Sequence, residues 1–162
     1  MSDSGKVITA VTVLGGLGLL VYAIDKFGDL DIFGGIKTPF NIRDQLIKKK
    51  VDQLNSYKIN PKGKWSIGTN DKQRIAKAIE IAQVLYNNMW GLSNYKNYEI
   101  VYQIFQRLRH PNDVVLIMKK FGVRNEQTLF EFVDNESMPD KYKNYITSKM
   151  IQAVSHNQIH SA

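Results

Sequence analysis

Residues Val7 to Ile24 form a run of 18 amino acids without a charge, bounded by Lys6 and Asp25. No other stretch restricts the fold so strongly. A run of this length must leave water, and a single membrane span is the simplest way to do so. At about 1.5 Å per residue its helix reaches roughly 27 Å, close to a hydrocarbon core of about 30 Å. Val7, Ile8, Val11, Val13, Leu14, Leu17, Leu19, Leu20, Val21 and Ile24 supply the apolar anchor. Tyr22 and Phe27 suit the boundary, and Lys6 and Lys26 can snorkel toward headgroups. Gly15, Gly16 and Gly18 weaken such a helix, while Thr12 and Gly16 have the spacing that lets two helices approach closely. An interfacial helix would need a polar face, which this run lacks. A cleaved signal peptide is the competing reading, because Val21-Tyr22-Ala23 allows cleavage after Ala23. Against it, the leading region carries Asp3 and one lysine. Lys26, Lys37 and Arg43 after the run outnumber Lys6 before it, which places the following domain on the cytoplasmic or virion-interior side.

The net charge of +7 is unevenly spread. Residues 37–64 carry +6, residues 65–162 carry +3 and residues 1–36 carry −2, so the basicity lies mostly in a short connector. With no cysteine, the chain has no disulfide, thiolate metal site or thiol nucleophile.

Beyond the anchor, the sequence predicts an all-α protein. Gly28, Gly34 and Gly35 mark a turn-rich segment from Phe27 to Pro39. Asn41 is placed to cap a basic amphipathic helix with Ile42, Leu46, Ile47, Val51 and Leu54 on one face and Lys48, Lys49 and Lys50 on the other. Asn55 to Gly68, polar and containing Pro61, Gly63 and Gly68, resembles a linker. Five helices then form a small bundle. Asn70 caps the first, which runs to about Met89 with Ile75, Ile79, Ala82 and Tyr86 on one face and Gly91 as its stop. The second runs from about Lys96 to Arg107, with a stripe of Ile100, Val101, Ile104, Phe105 and Leu108. Pro111 opens the third, which ends before Gly122. The fourth spans about Glu126 to Asp134. Pro139 opens the fifth, which carries Tyr142, Tyr145, Ile146, Met150, Ile151 and Val154 before a polar tail. The expected organisation is anchor 1–26, juxtamembrane connector 27–64, helical bundle 65–155 and tail 156–162.

The run Asn88-Met89-Trp90-Gly91-Leu92-Ser93-Asn94, followed by short helices, resembles one annexin repeat over about residues 70–155. The likeness rests on Met-x-Gly-Leu, on the Phe121-Gly122 stop, and on Thr128-Leu129 leading to Glu136. It is also similar to small helical domains of phage-type proteins of Bacteroidetes-like bacteria. The annexin resemblance implies calcium held against phospholipid by the carbonyls of Met89, Gly91 and Ser93 with the Glu136 carboxylate. Where the family has Gly-Thr, this chain has Ser93-Asn94. The plain alternative for Gly91 is a helix C-cap.

Catalytic candidates are few. His156 and His160 share the i, i+4 spacing of two metal ligands on a helix, but no carboxylate completes a motif around them. His110 precedes Pro111, where a helix entrance is the simplest role. Glu131, Asp134 and Glu136 cluster as a solvated helix face would. Gly63-Lys64 lacks the preceding glycines of a phosphate loop. No catalytic residue, cofactor or metal site is therefore expected, and the chain is read as no enzyme. The lysines of the connector fit anionic lipid headgroups, or alternatively nucleic acid, with Tyr57 and Trp65 interleaved. The expectation is a membrane-anchored structural protein of a larger assembly, in its concrete form a virion protein of a lipid-containing bacteriophage. Its partners are the bilayer and other assembly proteins, capsid proteins among them. The alternative is a lipid- or calcium-dependent membrane-binding module of annexin type.

Overall fold

The computed structural model describes residues 39–91 and 96–160. The expected anchor at Val7–Ile24 lies outside the described residues, as do Ser93 and Asn94. Among the described residues no helix is long and apolar enough to cross a membrane. The chain divides into two units between residues 43 and 44. The second unit is mostly helical.

Helix α1 spans Pro39–Ser56. It begins two residues before Asn41, the cap expected from sequence, because the fixed φ of proline already suits a first helical turn. Leu54 and the following Tyr57 are buried. Helix α2, Asp71–Met89, starts at Asn70 as expected, with the Asn70 side chain accepting from the Gln73 amide at 3.0 Å. Its buried face is Ala78, Ala82, Leu85 and Met89. This face is rotated from the expected one, and Ile75 and Ile79 stand 41% and 50% exposed. The reason is steric. Alanines let a neighbouring helix come close, and branched side chains are turned outward to make room.

Helix α3, Tyr98–Arg107, is capped by Asn97, whose side chain accepts from the Ile100 amide at 3.2 Å. Val101, Phe105 and Leu108 are its buried stripe. Helix α4, Pro111–Phe121, is buried at every position from Asn112 to Met118. A short helix hidden on all sides is the centre of the core, and α4 packs against α2, α5 and α6. It stops at Gly122, whose φ of 67° is left-handed.

The expected fourth helix starts late. Strands β1 (Val123–Arg124) and β2 (Gln127–Thr128) first form a small antiparallel hairpin. Its turn places Asn125 at φ 47° and Glu126 at φ 65°. Two successive left-handed residues match a tight hairpin turn, a pairing that hydrophobic periodicity cannot foresee. Helix α5, Leu129–Asn135, then begins with a reciprocal capping box between Thr128 and Glu131. Helix α6, Asp140–His160, continues through the region expected to be a tail. Asn157 is buried within that region, so the last turns pack against the rest of the unit.

The stretch after α1 is not a loose linker. Asn112 and Asp113 are buried polar residues at the start of α4, and that stretch supplies their partners. The Asn60 amide donates to Asn112 Oδ1 at 3.0 Å, and Asn112 Nδ2 donates back to the Asn60 carbonyl at 2.8 Å. The Ser66 amide donates to both Asp113 carboxylate oxygens at 3.1 Å, and its hydroxyl also donates to Asp113. A Cβ on Gly63 would stand 2.5 Å from Asn112 Nδ2, so the strap passes where only glycine fits. Lys119 Nζ donates to the carbonyls of Asn55 and Tyr57 at 3.2 and 2.7 Å, closing the end of α1. Burial pushes the Lys119 ammonium pKa down, with Lys120 adding to the effect. From Asp44 onward, α1 and this strap thus belong to the same unit as the helices behind them, not to a separate connector ending at residue 64.

Removing the Asn112 or Asp113 side chain strands buried groups at a cost of about 1–3 kcal/mol. Asn112→Leu and Asp113→Ala are each expected to lower the urea-unfolding free energy by about that amount. In both variants the Ser66 and Asn60 amides should exchange faster with deuterium.

Candidate functional site

The basic trio of α1 separates in the fold. Lys48 and Lys49 are exposed. Lys50 is not a free surface charge: its ammonium pairs with Glu131 Oε1 at 2.9 Å and donates to the Glu126 carbonyl, fastening α1 to the β-hairpin and α5. The connector aromatics are also committed. Tyr57 is buried, and that burial raises its hydroxyl pKa. Trp65 lies under the Arg74 guanidinium, 4.7 Å from the ring centre.

The acidic residues meet the same fate. Glu131 serves the Thr128 cap and Lys50. Glu136 Oε2 accepts from Lys96 Nζ and from the Tyr98 hydroxyl, both at 2.7 Å. The carboxylate that the annexin resemblance implies for calcium is therefore occupied by an ammonium and a phenol. Asp134 is exposed. Gly91 has φ 104°, and the Trp90 amide donates to the Tyr86 carbonyl at 2.8 Å, so this end of α2 has the geometry of a helix stop. The rings of His156 and His160 lie 4.4 Å apart on the exposed face of α6. Among the described residues no group of three His, Asp or Glu side chains could hold a metal. His110 stands at the N-cap of α4 without a side-chain hydrogen bond to the helix.

A concavity lies elsewhere among the described residues. A groove of about 510 Å³ opens between α2 and α3. Helix α2 contributes Lys77 and Ile81, one turn apart. Helix α3 and the link behind it contribute Ile104, Arg107, Leu108 and Arg109, and the strap contributes Ser66 and Ile67. The apolar side chains come from three separate elements, and all the charged lining residues are cations. Lys77 is partly neutralised by Glu80, with both carboxylate oxygens 2.9 Å away. Arg107 sits in the last turn of α3, where a cation also suits the helix dipole. Sequence reasoning did not single out this groove. Its only local trace is Arg107-Leu108-Arg109 at the end of the α3 stripe, and the remaining residues lie far apart in the chain.

A second surface feature is aromatic. Tyr86 stacks on Trp90 at 5.8 Å with the planes 12° apart, and both meet Phe132. Arg124 lies 4.9 Å from both the Tyr86 and Phe121 rings, and Trp90 is 51% exposed.

Burial first, then the hydrogen bond from Tyr98 to Glu136 and that carboxylate's charge, push the Tyr98 pKa up to about 12 from its ordinary value of 10.0. A pKa raised by folding means a stabilisation complete below pH 10 and lost as pH rises through about 12. Tyr98→Phe is expected to flatten the fall in Tm between those pH values. Tyr57 and Tyr142, shifted in the same direction, retain part of the slope.

No family model matches the chain, and no curated protein sequence or solved structure does.

Proposed function

We propose that this chain is a membrane-anchored structural protein of a larger assembly, with a virion protein of a lipid-containing bacteriophage as the concrete case. In this reading Val7–Ile24 crosses the bilayer once, α1 lies beyond it as a basic helix, and α2 to α6 dock to other assembly proteins such as capsid proteins. The uncharged run of 18 residues carries the proposal. Apolar side chains left outward on the helices support the docking part: Ile75 and Ile79 on α2, and Ile151 and Ile159 on α6, the last 71% exposed. The exposed Lys48 and Lys49 support contact with anionic headgroups. Commitment of Tyr57 and Trp65 to the fold weighs against nucleic acid. Commitment of Glu136 to Lys96 and Tyr98 weighs against the annexin-like alternative, since calcium would have to displace an ammonium.

Detergent phase separation tests the anchor. The full-length chain is expected in the detergent phase and the chain lacking residues 1–26 in the aqueous phase; full-length protein in the aqueous phase would overturn the reading. Liposome flotation tests the surface lysines. Each contributes about 1 kcal/mol near an anionic leaflet. Changing both Lys48 and Lys49 to Ala should weaken adsorption of residues 37–162 to anionic vesicles at least tenfold, and calcium or a chelator should leave it unchanged.

A further inference from the structure

We propose that the groove between α2 and α3 binds an amphipathic organic anion: a carboxylate or phosphate-monoester head on an apolar body. It is an open groove of about 510 Å³. Ile67, Ile81, Ile104 and Leu108 line it with apolar surface, while Arg107 and Arg109 stand beside them. No carboxylate shares the lining. Among the described residues neither arginine forms an ion pair, whereas Lys77 is already engaged by Glu80. The cationic excess therefore falls on the arginine side. A guanidinium offers forked donors that match the oxygens of a carboxylate or phosphate.

Both halves of the ligand are needed to use such a site. A bare inorganic anion would leave the apolar surface wet, and a neutral apolar molecule would forgo the guanidinium pairing. The wall at Ile67 is set before any ligand arrives, because Asp113 holds the adjoining Ser66 amide and hydroxyl. A wall fixed in advance lowers the ordering cost of binding. This inference does not depend on the membrane anchor.

The test uses the full chain with labelled isoleucine methyl groups. It is titrated at matched free concentrations with decanoate, decyl phosphate, decanol and inorganic phosphate. Saturable shifts of Ile67, Ile81 and Ile104 are expected with one or both charged amphiphiles, and the tighter of the two identifies the head group. Decanol and inorganic phosphate should bind at least tenfold more weakly. Arg107→Gln with Arg109→Gln should weaken the charged probes at least tenfold, with the buried Ile117 methyl unmoved as the check on folding. If Ile117 moves, Arg109→Gln alone, at an exposed link position, carries the comparison. Equal response to decanol, an undiminished response in the variants, or no response to any probe would each overturn the proposal.

Discussion

Asn112 and Asp113 occupy the first turn of a helix that is buried on every side, and the rest of the unit is arranged around meeting their needs. A buried amide or carboxylate without partners costs several kcal/mol. Here the chain between α1 and α2 brings backbone amides, a carbonyl and a hydroxyl to them. That requirement turns a polar, glycine-containing stretch into a strap with a defined path. The strap in turn fixes where α1 ends, since Lys119 of α4 reaches back to the carbonyls of Asn55 and Tyr57. It also forms one wall of the α2–α3 groove.

Several charged side chains fasten elements together. Lys50 ties α1 to α5, Glu131 caps α5 while answering Lys50, and Lys96 and Tyr98 hold Glu136 at the end of α5. Lys149 donates to the Phe105 carbonyl and so joins α6 to α3. A carboxylate held by an ammonium is poorly suited to general acid or base work at neutral pH, and it binds a cation only by giving up its partner. Glu131 and Glu136, which read in sequence as part of a surface cluster, are structural in the fold, while Asp134 is exposed. Arg107 and Arg109 are the contrast: two cations beside apolar surface, with no carboxylate in the lining.

Most of the helices are legible in the sequence because their signals are local. Asn70 lies where a side-chain oxygen can meet a helix amide, Pro111 suits a first turn, and Gly122 takes a left-handed stop. The misreadings share one cause. Ile75 and Ile79 look like core because they are large and apolar, yet Ala78 and Ala82 face inward because α4 must come close. The residues after Val154 look like a tail because they are polar, yet α6 continues through them and Asn157 is buried.

By itself the sequence determines the helical class, the cap at Asn70, the opening at Pro111, the stops at Gly91 and Gly122, and the presence of one uncharged run of 18 residues. Those properties depend on side-chain chemistry within a few neighbouring residues. Only the tertiary structure decides which face of α2 is inside, that Asn60 to Ser66 is a strap, that Lys50 and Glu136 are spoken for, and that Ile67, Ile81, Ile104 and Arg109 meet around one groove. These outcomes depend on pairings between residues tens of positions apart. Such pairings are chosen by mutual packing and by the need to partner buried polar groups, and neither leaves a periodic mark along the chain.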